Sequence, residues 1–471
     1  MEKAGNKHFE KFETSQEKLK DLFDVVNIPE LKTMKPANKE QAKEEFLQND
    51  ELARPNFEYT YDQDFFDKKF EAFRKAGEIL SNPENELSNK ERFVENKRFL
   101  FKAKRMEFLE SIFMVQNYDG AEKQKYAERF RELNNEIWGE ADFATYQDLM
   151  SEKIAKIEPE KLDEKGLQIY NEFTQSLKNE YSTPAEKRFK PRDETLQFMQ
   201  NATREFYGDL LEMVPEAPEG GYSEIEVFDT FTEIVEELKN RGFSQKWMVE
   251  WDNKNGTISV NSIEKKVKIP VNSNKKRKTR EALQGTIAHE IGVHLYRSET
   301  GSFLPEYQYE IGAEGYLDSE EGIARVMEMS LNGKYVEAGI PYYLTVGLAE
   351  FEGKNFRETF ETSWRMILLS NGKNDFSKEA IEKAKTLAYN RCFRIFRADD
   401  NLAWHKDLSY YNGATKIWQY IESNLELPTL FDELLLGGKN DLFNPEQQQQ
   451  IYEMKVSGEN RVFDENWNEI K

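Results

Sequence analysis

Residues 289–294 read His-Glu-Ile-Gly-Val-His and hold two of the four histidines in a chain of 471 residues. Two imidazoles with a glutamate beside the first are the residue types of a hydrolytic metal centre. Neutral imidazoles ligate a divalent ion such as Zn2+, and the adjacent carboxylate can take a proton from water that the ion has acidified. The spacing sets a condition. At about 100° per residue, histidines four apart lie roughly 40° around a helix, whereas a gap of five puts His289 and His294 about 140° apart. One ion reaches both if the helix is underwound there into a π-type turn, and Gly292, with no Cβ, eases that distortion. The alternative is an ordinary amphipathic helix from Arg280 to Tyr296 whose histidines are partnered in the core or exposed.

Catalytic zinc takes three protein ligands and leaves a position for water, so a third must come from elsewhere. Asp318-Ser319-Glu320-Glu321-Gly322-Ile323-Ala324-Arg325 opens another helical stretch, and a carboxylate near its beginning can face the metal. Glu321 is the preferred ligand, although with Asp318 as N-cap it would instead complete a capping box. Glu310, Glu314 and Glu320 compete, and spacing does not choose among them. Arg325, four residues beyond Glu321, would orient that carboxylate or form a plain helix-surface pair.

The hexapeptide followed by Glu-Glu-Gly-Ile-Ala resembles the bacterial QEGLA-motif proteins and the related microtubule-associated tyrosine carboxypeptidases. A third ordered match, Arg394-Ile395-Phe396-Arg397 followed by Lys406-Asp407-Leu408-Ser409-Tyr410-Tyr411-Asn412-Gly413, is similar to that family's late Arg and Lys-Asp block. The resemblance spans roughly residues 185–430. It implies one Zn2+ held by His289, His294 and Glu321, with Glu290 as catalytic base. Val293 stands where threonine is common, Glu320 replaces the motif glutamine, Ile323 replaces leucine and His405 stands where threonine is frequent. None of these departures removes a ligand or the base.

The activity so implied is that of a zinc metallopeptidase releasing a C-terminal residue, tyrosine or another aromatic, from a peptide or protein. A terminal carboxylate suits a guanidinium or ammonium partner. Arg394, Arg397 and Lys406 are the candidates, each with an alternative as an ion pair, Lys406 with Asp407. Tyr410 and Tyr411 are candidate donors to an oxyanion, and His405 is expected behind the site or exposed. Two other readings stand beside this one: an endopeptidase with the same metal chemistry, and a noncatalytic protein whose zinc organises a binding surface. Blocking a peptide's terminal carboxylate separates the first from a carboxypeptidase.

The formal charge of -22, from 66 basic and 88 acidic residues, opposes nonspecific binding to nucleic acid or anionic membrane. The single cysteine, Cys392, cannot form an intrachain disulfide and reads as a small buried apolar residue. No signal-peptide-like stretch opens the chain and no long apolar run occurs, so a cytoplasmic protein is expected.

The elements that must position these residues follow from periodicity. The fold class expected is α+β, mostly helical: an N-terminal helical domain over 1–183 and a zincin-like peptidase domain over 184–471, with a small sheet beside the metal helix. Phe66, Phe70 and Phe73 form one helical stripe and Met106, Leu109 and Phe113 another, expected to pack together. His8 reads as solvated. Pattern breaks fall at Ser182-Thr183-Pro184, at Lys190-Pro191 and in the Pro- and Gly-rich loop 214–221. After a helix over 227–240, Trp247–Trp251 and Thr257–Val260 read as a hairpin about Asn255-Gly256, followed by a strand over 266–269. The basic run Lys275–Arg280 reads as a solvated loop or a handle for acidic substrates, and Gln447–Gln450 as helix surface or tail.

Overall fold

The computed structural model describes residues 14–28, 33–181, 188–253, 256–271, 279–304, 306, 308–399, 401–456, 462–463 and 469–470. His8, the break at Ser182-Thr183-Pro184, Asn255 and Lys275–Lys278 lie outside them. The described chain is mostly helical with a small three-stranded sheet, an α+β composition. By its internal contacts it divides into two compact units, Met1–Ile137 with Phe396–Leu402, and Trp138–Ile395 with Ala403–Lys471.

In the first unit lie α1 (Ser15–Val26), α2 (Lys39–Gln48), α3 (Gln63–Ser81) and α4 (Asn89–Asn117); α5 (Gly120–Trp138) runs to its end. Thr14 and Ser88 close capping boxes that satisfy the free amides beginning α1 and α4. The two apolar stripes do meet: Phe66 of α3 lies 5.2 Å from Phe113 of α4, ring to ring.

In the second unit follow α6 (Phe143–Ala155), α7 (Glu164–Ser176), α8 (Asp193–Glu212) and α9 (Glu224–Asn240). The sequence assigned α6 and α7 to the N-terminal region. Here they pack on later helices: a Cβ on Gly347 would meet the Tyr146 ring at 2.0 Å, and Arg365 pairs with Glu172 at 2.8 Å.

The sheet comprises β1 (Met248–Asp252), β2 (Ser259–Asn261) and β3 (Lys266–Pro270) in the order β1-β3-β2. The expected hairpin between the first two strands is not formed. β3 lies between them, parallel to β1 and antiparallel to β2. Its alternation explains this: Val267 and Ile269 are buried, while Lys266 and Lys268 pair with Glu250 on the other face. The strand best able to bury one face takes the middle, which leaves β2 as an edge.

After the sheet come α10 (Arg280–His289), a π-helix over Glu290–Leu295 and α11 (Tyr296–Ser302), then α12 (Gln308–Ile311) and α13 (Tyr316–Leu331). Next are α14 (Ile340–Glu350), α15 (Phe356–Leu369), α16 (Lys378–Ile395), a 3-10 turn over His405–Leu408, α17 (Ser409–Ser423), α18 (Leu430–Leu435) and α19 (Pro445–Val456). One buried cluster runs beneath the sheet, α10, α13 and α17, with Val267, Leu283, Ile287, Ile291, Val293, Ile323, Met327 and Trp418 among its members. Val293, at the position where threonine was noted, is core. Cys392 is buried, and burial raises its thiol well above the ordinary value. No helix among the described residues is long and apolar enough to cross a membrane.

Candidate metal centre

Thr279 caps α10 by accepting from the amide of Ala282 at 3.2 Å, and the helix loosens into the π-turn at Glu290. A sixth residue in that turn gives His289 and His294 the rotation that a regular helix denies them. Their ring centroids lie 4.9 Å apart at 82°. Gly292 is needed for a neighbour as much as for its own backbone. The Tyr207 hydroxyl donates to its carbonyl, and a Cβ there would stand 3.0 Å from the tyrosine ring. A buried tyrosine thus occupies the carbonyl at the centre of the distorted turn.

The third group comes from α13. That helix begins at Tyr316 behind Gly315, whose φ is +75°, so Asp318 lies inside it and the capping box does not form. Asp318 instead accepts from Lys416 at 2.7 Å. Glu321 is thereby carried into the second turn, and potential ligand atoms of His289, His294 and Glu321 all lie within 4.8 Å of one another. The competing carboxylates are otherwise engaged or elsewhere: Glu310 pairs with Lys265 at 2.7 Å, Glu320 stands behind His294, and Glu314 does not join the group.

Two glycines of the sequence motifs fix this placement. A Cβ on Gly322 would come within 2.5 Å of the Gly413 carbonyl, and one on Gly413 within 2.1 Å of the Asp318 carbonyl oxygen. Only bare backbones let α13 and α17 cross so closely. The crossing buries Tyr410 beside Glu321, and burial first, with the Glu321 charge adding to it, holds its phenol well above the ordinary value.

Each imidazole is braced from outside. Nδ1 of His294 lies 2.9 Å from Glu320 Oε1, and Nδ1 of His289 lies 3.1 Å from Glu328 Oε2. Glu320 also accepts from Arg297 at 2.6 Å and from Lys439 at 2.6 Å, and Glu328 accepts from Arg325 at 2.8 Å. Burial alone would raise the Glu320 carboxyl, but Lys439 and Arg297, with the His294 hydrogen bond, hold it well below the usual carboxylate range. Glu328 is likewise lowered against its burial, by His289 and Arg325. Ionised carboxylates only accept, so both Nδ1 atoms donate, and each ring in its neutral form presents the Nε2 lone pair to an ion. Two imidazole nitrogens and a carboxylate oxygen form a donor set suited to Zn2+. Lying within 4.8 Å of one another, they could hold one ion.

Between the ligands, burial raises the Glu290 carboxyl, with Glu321 and Glu328 adding to the effect and both histidines opposing it. Burial disfavours a charged His289 ring, but the Glu328 hydrogen bond and the charges of Glu290 and Glu328 outweigh it and raise that pKa.

The residues expected to hold a substrate are divided. Arg394 is clamped by Asp407 through Nε at 2.5 Å and Nη2 at 2.7 Å, and its guanidinium lies 4.7 Å from the Tyr342 ring and 5.8 Å from the Tyr410 ring. Asp407 thus partners Arg394, and the Lys406 carbonyl accepts from Ser409. Arg397 belongs to the first compact unit, where it donates to the Met34 carbonyl. His405 is buried, with Nδ1 2.9 Å from the Gly139 carbonyl and Nε2 3.3 Å from Glu350, a structural role. Arg325 gives its hydrogen bond to Glu328, not to Glu321, and its guanidinium lies 5.4 Å from the Tyr410 ring.

Sequence reasoning missed Glu328, Arg297 and Lys439. Glu328 had a signal, since positions 321, 325 and 328 share one helical face, and Arg297 follows His294 by three. Lys439 had none. Comparison with protein-family models and with curated proteins finds no match.

Proposed function

We propose that the protein is a zinc-dependent peptidase that releases a C-terminal residue from a peptide or protein chain. The observation that carries this reading is the convergence of His289, His294 and Glu321 within 4.8 Å, with Glu290 between them in sequence and each imidazole braced by an outer carboxylate. A bound Zn2+ supplies Lewis acidity, lowering the pKa of water to about 7 and polarising a carbonyl. Glu290, whose proton affinity burial raises, takes the proton from the attacking water and returns it to the leaving amine. Tyr410, with its phenol kept neutral, is the donor available to the developing oxyanion.

β2 is an edge strand that packs beside the π-turn. An extended substrate pairing along it would be held through its main chain. Preference for a free C-terminus rests on the motif resemblance and on the two guanidinium groups, Arg325 and Arg394, that flank Tyr410. The test joins metal analysis with peptides bearing free or amidated ends. One equivalent of zinc and release of a terminal residue from free-ended peptides alone is the expected result. Equal internal cleavage of both sets would assign an endopeptidase instead, and a protein that takes up no zinc would end the hydrolytic reading.

A further inference from the structure

The turn Gly437–Asn440 lies far along the chain from the histidines, yet it reaches Glu320, the carboxylate behind His294. Gly438 has φ +68°, and a Cβ there would stand 2.6 Å from the Gly301 Cα on α11. The Lys439 amide donates to the Tyr309 carbonyl at 2.6 Å, and its own carbonyl accepts from Ala313 at 2.9 Å. Beyond it, Gln448 donates to the Asn440 side chain and the Asp441 carbonyl, while Gln447 accepts from the Asp441 amide and donates to the Glu314 carbonyl. The glutamine run, expected as plain surface, is the framework that holds this turn.

From that position Lys439 reaches Glu320 Oε1, the oxygen that also takes Nδ1 of His294; Arg297 occupies Oε2 and donates its other terminal nitrogen to the Asn440 carbonyl at 3.1 Å. Arg297, Glu320 and Lys439 are each 6% exposed or less. A buried carboxylate needs compensating charge and hydrogen bonds at its remaining lone pairs, and here two cations supply them. Both oxygens are thereby committed, so Glu320 cannot turn inward to compete with Glu321, and the carboxylate is dedicated to His294.

We propose that Glu320, held by Arg297 and Lys439, is the positioning residue for His294, and that Lys439 makes cation binding at the triad and seating of the Gly437–Asn440 turn a single equilibrium. The inference rests on the reading of the triad as a zinc site. Outer carboxylates of this kind fix the ring and raise its basicity as a ligand. Glu320→Gln keeps an acceptor for the imidazole but loses the charge, and Lys439→Met loses the far brace.

The experiment uses the full chain, with zinc affinity read by competition against a chromophoric chelator and amide exchange followed over 437–442 with and without zinc. Glu320→Gln should weaken zinc binding about 10- to 100-fold. Lys439→Met should weaken it in the same direction and abolish zinc-induced protection of the turn, while Lys439→Arg restores both. Should Glu320→Gln fail to fold, the Lys439 pair decides alone. Wild-type protein that binds zinc tightly, with variants that bind it equally and gain the same protection, overturns this inference only. Wild-type protein that takes up no zinc overturns the metal reading as well.

Discussion

The two histidines of one π-turn stand before very different backgrounds. Behind His294 is a sealed cluster in which Glu320, 2% exposed, faces Arg297 and Lys439; behind His289 is Glu328, 29% exposed, with Arg325 beside it. The same device is built twice from one helix, α13, once in the interior and once at the rim. In the interior, desolvation makes a charge costly unless fully compensated, so the sealed side carries two cations. At the rim, water supplies part of the compensation. On the proposed function, the sealed half would anchor the site, and the half-exposed side with Glu328 and Arg325 would face solvent and substrate.

If both halves serve one ion, the residue between them must act on chemistry rather than on binding. Glu290→Gln should keep zinc and lower kcat by about 10²- to 10⁴-fold, measured on a free-ended peptide with metal content checked in parallel. Loss of zinc together with activity would move Glu290 into the ligand set, and the division between the two halves would no longer describe the site.

The next effect falls on both halves together, because α13 carries Glu320, Glu321 and Glu328. Gly322→Ala or Gly413→Ala forces a methyl into a backbone at 2.5 Å or 2.1 Å. Either should destabilise the second unit by about 3 kcal/mol, as overpacking against an unyielding partner does, read from denaturant midpoints. Gly292→Ala meets a tyrosine ring at 3.0 Å, where small shifts suffice, and should cost about 1 kcal/mol. Equal costs at all three positions would show that the crossing is not what holds the two carboxylates in place.

Smaller again is Glu328→Gln. With one arginine and solvent behind it, this carboxylate should contribute less to zinc affinity than Glu320, a loss of about tenfold or below. Chelator competition on the two variants side by side measures the asymmetry directly. A loss at Glu328 equal to that at Glu320 removes it.

How much of this was legible beforehand follows the range over which each signal acts. The hexapeptide, the π-turn it demands and the preference for Glu321 were readable, because all depend on spacing within one helix or on a motif. The apolar stripes of α3 and α4 were readable for the same reason. The order of the strands was not: alternation marks β1, β2 and β3 as strands, but which becomes central depends on which face the core can cover. Arg397 and His405 carried the right chemistry in a matching motif, yet contacts with Met34 and with Gly139 and Glu350 use them structurally. Lys439 is one of 66 basic residues, and no local pattern tells a lysine that a glutamate 119 positions earlier will need it.

The last and smallest effect separates the halves by pH. In the metal-free protein the Glu328 hydrogen bond and the nearby carboxylates raise His289 above its ordinary value despite burial. A group raised on folding stabilises fully below its unfolded value, about 6.5, and that stabilisation is lost as pH climbs through the folded value. The Glu320 carboxyl, held well below the usual range, stays ionised throughout this window, and its contribution disappears only in strong acid. Stability contributed by His289 should therefore fall as pH climbs above about 6.5, while the sealed side is unchanged. Zinc must displace the His289 proton, so its affinity should rise over the same interval. Thermal unfolding with and without zinc at several pH values reads both trends, and Glu328→Gln should flatten them. A pH response that survives this substitution would place the titrating group elsewhere than on the open side.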